Sequence, residues 1–154
     1  MALRYAVDTN VLLRLSERSH PHFNLISIAM RRLVMQGVEF CFAPQNLGEF
    51  WNACTRPLDR NGFGRSVGET RQLLESIQRR MTLLAETERV CVVWQHLLFT
   101  CEVRGVQVHD AHLAAVLEVH GVTHLLTFNG ADFRRYPGLT AVHPQDVQEH
   151  SAIL

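Results

Sequence analysis

LRYAVDTNVLLRL, residues 3–15, is the stretch that decides the fold. Leu3 to Val7 reads as a short buried strand. Immediately after Asp8, residues Val11, Leu12 and Leu15 recur at helical spacing, so the strand passes directly into a helix with an aspartate at the junction. Strand followed by helix, with no hairpin turn between, is the opening unit of an α/β architecture.

The same alternation continues outward. Pro21 starts a second helix with Leu25, Ile28, Ala29, Arg32 and Leu33 at helical intervals and a stop at Gly37. Val38 to Ala43 forms the second strand, and Pro44 opens a third helix whose apolar stripe is Leu47, Phe50, Trp51 and Cys54. RPLDRNGFGRSVG, residues 56–68, is dense in Gly, Pro and Arg and reads as a loop. A polar helix follows from Glu69 to Arg80, with Leu73, Leu74 and Ile77 inward, and then a third strand from Met81 to Ala85.

Thr87 can cap the next helix, which keeps Val90, Val93, Trp94, Leu97, Leu98 and Cys101 at helical spacing until Gly105. Asp110 starts another helix, ending at Gly121. Thr123 to Thr127 is a strand followed by a brief helical turn, and Leu139 to Val142 forms a last edge strand before Pro144. Strands separated by helices predict an α/β sandwich around a mostly parallel sheet, and 154 residues with 47% hydrophobic content suit a single domain spanning 1–154.

Net charge is zero, with 15 acidic and 15 basic residues, so any polyanion must be held locally. Every basic residue is arginine, which fits bidentate phosphate contacts and equally a GC-rich genome. Four cysteines without CxxC spacing lie in apolar stretches and read as reduced core thiols, which predicts a cytoplasmic protein. The first residues lack the pattern of a signal peptide, and no apolar run approaches the roughly 20 residues that span a bilayer. Nine scattered histidines form no HExxH-like pattern.

Candidate chemistry lies in acids at the ends of strands and the starts of helices: Asp8, Glu49, Asp110 and Asp132. Sites of open α/β sheets lie at the carboxyl ends of the strands. Asp110 shares a helix face with the apolar residues 113, 114 and 117, so its charge points toward the buried side. Glu49 lies opposite the apolar stripe of its helix and must face a cleft. Singly, the three aspartates read as helix caps and Glu49 as a solvated residue. Gathered together, four carboxylates need one or two hard divalent cations.

Resemblance supplies the link between them. AVDTN near the start, an acid in a mid-chain helix, HDAHLAA after a Gly-containing turn, and LLTFNGADF followed by PGL and HP together resemble the PIN-domain nucleases, in particular the toxin ribonucleases of bacterial VapBC toxin–antitoxin modules. The similarity runs essentially the whole length, through EFWNACTRP and the NGFG loop. It implies a three-layer α/β/α sandwich, with Asp8, Glu49 and Asp110 matching the metal-binding acids.

The fourth position departs from the family pattern. Asn129 stands where many PIN domains carry aspartate, and Asp132 follows three residues later, so either can be the fourth ligand. His109 replaces an expected serine and either contacts phosphate, tunes the site or is simply tolerated. Thr9, Asn10 and Thr127 match positions that hydrogen-bond ligands or water.

The implied activity is Mg²⁺- or Mn²⁺-assisted hydrolysis of RNA phosphodiester bonds, the cation lowering the pKa of the attacking water and stabilising the leaving oxygen. Candidate RNA contacts are Arg14, Arg56, Arg60, Arg65, Arg134 and Arg135, with the loop at 56–68 as the candidate specificity element. As a type II toxin, the chain would be dimeric and held inactive by a small antitoxin. A PIN nuclease of RNA processing or DNA repair, and a catalytically inactive PIN-like binding module, are the alternatives.

Overall fold

The computed structural model describes residues 2–148. Five strands, β1 (Arg4–Val7), β2 (Glu39–Phe42), β3 (Thr82–Leu83), β4 (His124–Leu126) and β5 (Thr140–Val142), form one sheet in the order β3-β2-β1-β4-β5, and every neighbouring pair is parallel. Ala6 lies between Cys41 and Leu125 in register, which makes β1 the sheet's centre. All five strands expected from the sequence are present.

Six helices cover the two faces: α1 (Thr9–Leu15), α2 (Phe23–Met35), α3 (Pro44–Thr55), α4 (Val67–Gln78), α5 (Glu88–Thr100) and α6 (Gln107–Val119). Successive strand residues point to opposite faces, and this period of two divides the core. Ala6, Cys41 and Leu125 pack with Val90 and Leu97 of α5 and Leu113 and Leu117 of α6. Val7, Phe40, Phe42 and Leu126 pack with Leu12, Ile26, Leu33 and Phe50 of α1 to α3, and Leu73 and Ile77 of α4 complete that layer. The result is the expected α/β/α sandwich.

Several boundaries differ from the sequence reading. The second helix begins at Phe23 rather than Pro21, because the His20 ring accepts the His22 N–H at 3.1 Å and holds the chain in a turn first. Helix α4 begins at Val67, where Ser66 and Glu69 form a reciprocal capping box. Helix α6 starts three residues before Asp110: Gly105 turns the chain at a φ of +55°, and the Gln107 side chain accepts the Arg104 N–H. Asp110 is therefore no cap. Asp132 lies within a 3₁₀ turn (Gly130–Phe133) and caps nothing either. Cys41 and Cys54 are buried free thiols, whereas Cys91 is exposed and does not belong to the core. Burial pushes the Cys41 thiol up to about 11, so it stays protonated.

The loop at 56–68 is folded back on itself rather than open. Phe63 N–H bonds to Ala53 O, Gly64 N–H to Arg56 O, and Arg65 N–H to Cys54 O, at 2.9–3.0 Å. This fold brings Gly62 so close to the chain that a Cβ there would lie 1.9 Å from the Arg56 carbonyl oxygen. Gly62→Ala is expected to destabilise the protein by about 1–3 kcal/mol, read as a lowered melting temperature. No helix among the described residues is long and apolar enough to cross a membrane.

Candidate active site

From β1 the chain winds outward through β2 to β3, then returns to β4 on the other side of β1 and ends at β5. Winding reverses between β1 and β4, and in open parallel sheets such a switch point sets the crevice at the carboxyl ends of the two strands. Asp8 follows β1 and Thr127 follows β4, so both stand in this crevice.

Asp8 is buried, and both its oxygens are held. Oδ1 accepts the Thr9 N–H at 2.8 Å, while Oδ2 accepts the Thr127 hydroxyl at 2.7 Å and the Asn10 amide at 3.2 Å. The Thr127 oxygen in turn accepts from Asn10 Nδ2 and from the Asn129 N–H, which uses its full bonding capacity. Asn10 Oδ1 accepts the Phe128 N–H, tying α1 to the segment after β4. Burial raises the Asp8 pKa, the bonds from Thr127, Thr9 and Asn10 oppose the rise, and the charge of Asp132 adds to it. Capping α1 and facing the crevice are thus two uses of one carboxylate.

Glu49 reaches the crevice because α3 is pinned at its start. Asn46, fully buried, accepts the Ala43 N–H at 2.9 Å and donates to Thr9 Oγ1 at 3.1 Å, which locks the first turn of α3 to α1. Glu49 lies on the helix face away from Phe50 and Cys54, as its spacing required. Although it is a surface residue, burial of its carboxyl raises its pKa; Gln45 donates a hydrogen bond that opposes this, Asp8 adds to it and His109 opposes it. Gln45 is linked through the His112 ring to the exposed Glu86: His112 Nδ1 is 3.1 Å from Gln45 Oε1, and Nε2 is 2.8 Å from Glu86 Oε1. Trp94 meets that ring edge-on at 4.6 Å.

Asp110, one turn into α6, records the whole arrangement. Its pKa is pushed up to about 6, first by burial and then by Asp132, Asp8 and Glu49, with His109 opposing. Each of the other three acids therefore raises its proton affinity, which places all four carboxylates in one field. They are not drawn to a single point: among the described residues no three His, Cys, Asp or Glu side chains are grouped to hold a metal ion. The donor chemistry, carboxylate oxygens with amide and hydroxyl support, suits a hard divalent cation. At the fourth position the charge of Asp132 reaches Asp8 and Asp110, while Asn129 is tied through its backbone N–H to Thr127.

The arginines divide. Arg65 is a fastener: it bonds Ser16 Oγ and Cys54 Sγ, lies over the Phe63 ring and approaches Glu17 at 4.0 Å. Arg56 closes its own loop on Asn61 O, and Arg135 bonds Gln107. Arg14 sits over Phe128, while Arg60 and Arg134 are exposed. Sequence reading missed Gln45, Asn46, Glu86 and His112, and only the proximity of Gln45 and Asn46 to Glu49 in the chain hinted at the first two.

A family model described as PIN domain matches residues 5–139. The chain belongs to the PIN-domain family. Among solved structures, this PIN domain is similar to VapBC2 from Rickettsia felis bound to a DNA fragment from their promoter, at 16% identity and a TM-score of 0.67, covering 92% of this chain and 98% of that one. VapBC-1 from nontypeable Haemophilus influenzae is similar at 18% identity and a TM-score of 0.67, with the same coverages of 92% and 98%. VapC20 from Mycobacterium tuberculosis, a Sarcin-Ricin loop cleaving toxin, matches at 16% identity and a TM-score of 0.53, covering 83% of this chain and 92% of that one. No curated protein matches the sequence significantly.

Proposed function

We propose that this PIN domain is a Mg²⁺- or Mn²⁺-dependent endoribonuclease and the toxin of a type II toxin–antitoxin module. What supports the reading is Asp8 held by Thr9, Asn10 and Thr127 at the switch point of a parallel sheet, with Asp110 pushed up to about 6 first by burial and then by Asp132, Asp8 and Glu49. Asp8, Glu49 and Asp110 would hold the cation, with Asn129 or Asp132 completing the set. Bound there, a divalent cation supplies Lewis-acid activation of water and charge stabilisation of the leaving oxygen. The chain's own part is positional: Thr9, Asn10 and Thr127 fix Asp8, and Gln45 fixes Glu49.

RNA as substrate rests on the resemblance to the PIN-domain toxin ribonucleases, and the similarity to VapC20, a Sarcin-Ricin loop cleaving toxin, supports it. The antitoxin partner rests on the VapBC complexes, which hold the toxin fold together with a second protein. Phe99 and Val106, 81% and 84% exposed, offer apolar surface for a second copy of the chain in a homodimer. The expected place of action is the cytoplasm.

Incubating the purified chain with single-stranded RNA in EDTA, then with Mn²⁺ or Mg²⁺ restored, tests the activity. Cleavage should appear only with the cation; cleavage at equal rate in EDTA would refute the metal requirement, and none under any condition would refute the enzyme. Gln45→Ala is expected to weaken Mn²⁺ binding about tenfold by freeing Glu49, with little change in melting temperature. Calorimetric titration beside a thermal melt measures both.

A further inference from the structure

Cationic and imidazole side chains gather around Phe128, the residue between Thr127 and Asn129. The Arg14 guanidinium lies 3.9 Å from the ring centroid, and His22 stacks on the ring at 5.0 Å with an interplanar angle of 16°. Both are contacts with a face of the ring. His143 meets its edge at 4.9 Å and 85°, and His20 lies 5.4 Å from His22. Among the described residues no carboxylate is ion-paired with Arg14, His20, His22 or His143. Burial, and then Arg14, His20 and His143, lower the His22 pKa.

Backbone hydrogen bonds decide what the outer histidines present. His20 Nδ1 accepts the His22 N–H at 3.1 Å, and His143 Nδ1 accepts the Gln145 N–H at 3.0 Å. With Nδ1 accepting, each ring carries an Nε2–H donor. Arg14 Nη1 and His22 Nδ1 are buried without hydrogen-bond partners among the described residues. His143 also lines, with exposed Arg134, a cavity of about 380 Å³ that has Asp146 as its acidic wall.

This strip adjoins the acids. Asn10, which bonds both Asp8 and the Phe128 N–H, lies one helical turn before Arg14, a rise of about 6 Å. Arginine with N–H donors around an aromatic ring is the chemistry that holds a single-stranded phosphate backbone. A chain of zero net charge can only supply it locally.

We infer that Arg14, His20, His143 and Arg134 form a binding strip for the phosphates of the single-stranded RNA segment flanking the scissile bond. The inference rests on the ribonuclease reading and assigns the path of its substrate. A structural clasp joining α1 and α2 to the end of the sheet is the rival explanation.

Fluorescence anisotropy with a labelled single-stranded oligoribonucleotide decides between them, using the full chain carrying Asp8→Asn to keep the RNA intact. Salt is varied from about 50 to 200 mM, the range over which phosphate contacts weaken steeply. Arg134→Gln and Arg14→Gln should each reduce the slope of log affinity against log salt by about 0.7, one counterion contact on a single strand. His20→Ala and His143→Ala should each weaken binding about threefold or more through loss of a ring N–H donor. Arg71→Gln, at an exposed helix pair with Glu75, should change neither.

Exposed Arg134 keeps the test decisive even if Arg14→Gln perturbs packing on Phe128. Parent-like binding by both Arg134→Gln and His143→Ala would overturn the strip while leaving the ribonuclease reading intact. Absence of binding by the parent at every salt would overturn both. Tighter binding of a duplex than of the single strand would overturn the assignment to unpaired RNA.

Discussion

Asp110→Asn is expected to reduce RNA cleavage about 100-fold or more and yet to leave the protein more stable than the wild type at pH 7 in EDTA. The two effects have one origin. Removing a charged group aimed at the reacting centre costs on the order of 100-fold or more in rate. The same carboxylate is held against its preference, because burial, Asp132, Asp8 and Glu49 lift its pKa from 3.8 to about 6.

Between those values the folded chain binds more protons than the unfolded one, so the stability tied to Asp110 is fully present below about 3.8 and is lost as pH rises through about 6. Asp110 is only half-buried, and solvent screening reduces the effect to about 1 kcal/mol. In a chain of this size that is a rise of roughly 2–4 °C in melting temperature for the variant at pH 7, shrinking toward zero below pH 4. Melts in EDTA across that pH range check it. A variant less stable than the wild type at pH 7 would mean that Asp110 is structurally satisfied rather than electrostatically strained.

Asn46→Ala should produce the larger loss of stability, about 2–4 kcal/mol. The substitution leaves the buried Ala43 N–H without an acceptor and deprives Thr9 Oγ1 of its donor, in a position with no access to water. It also opens space between α3 and α1. The melting temperature should fall by roughly 10 °C. Cleavage should fall as well, since Asn46 ties the helix that carries Glu49 to the turn that carries Asp8. A loss under about 1 kcal/mol would show that the two helices are held mainly by their apolar faces.

What could be read from the sequence follows what local chemistry encodes. LRYAV, VEFCFA and THLLT announce strands because apolar runs bounded by turn residues have few other uses, and their winding order carries Asp8 and Thr127 to the switch point. The start of α6 was displaced by three residues because Gln107 caps the turn from within the helix, a bond that no spacing reveals. The Ser66–Glu69 capping box was legible in principle, but its Gly-rich surroundings read as loop. Asn46, Gln45 and His112 look like ordinary polar residues until the fold brings Thr9, Glu49 and Glu86 to them. Arg65 reads as a free cation in a loop, and only tertiary structure surrounds it with Ser16, Cys54 and Phe63.

Four carboxylates share one field, and the proposed function requires that a divalent cation draw them together. Calorimetric titration of Mn²⁺ into the wild type, Asp8→Asn and Asp110→Asn at pH 7.5, above the elevated Asp110 pKa, examines that directly. Saturable binding by the wild type that weakens at least about tenfold in both variants is the predicted result. Equal Mn²⁺ affinity in all three proteins would contradict a cation site built from Asp8 and Asp110.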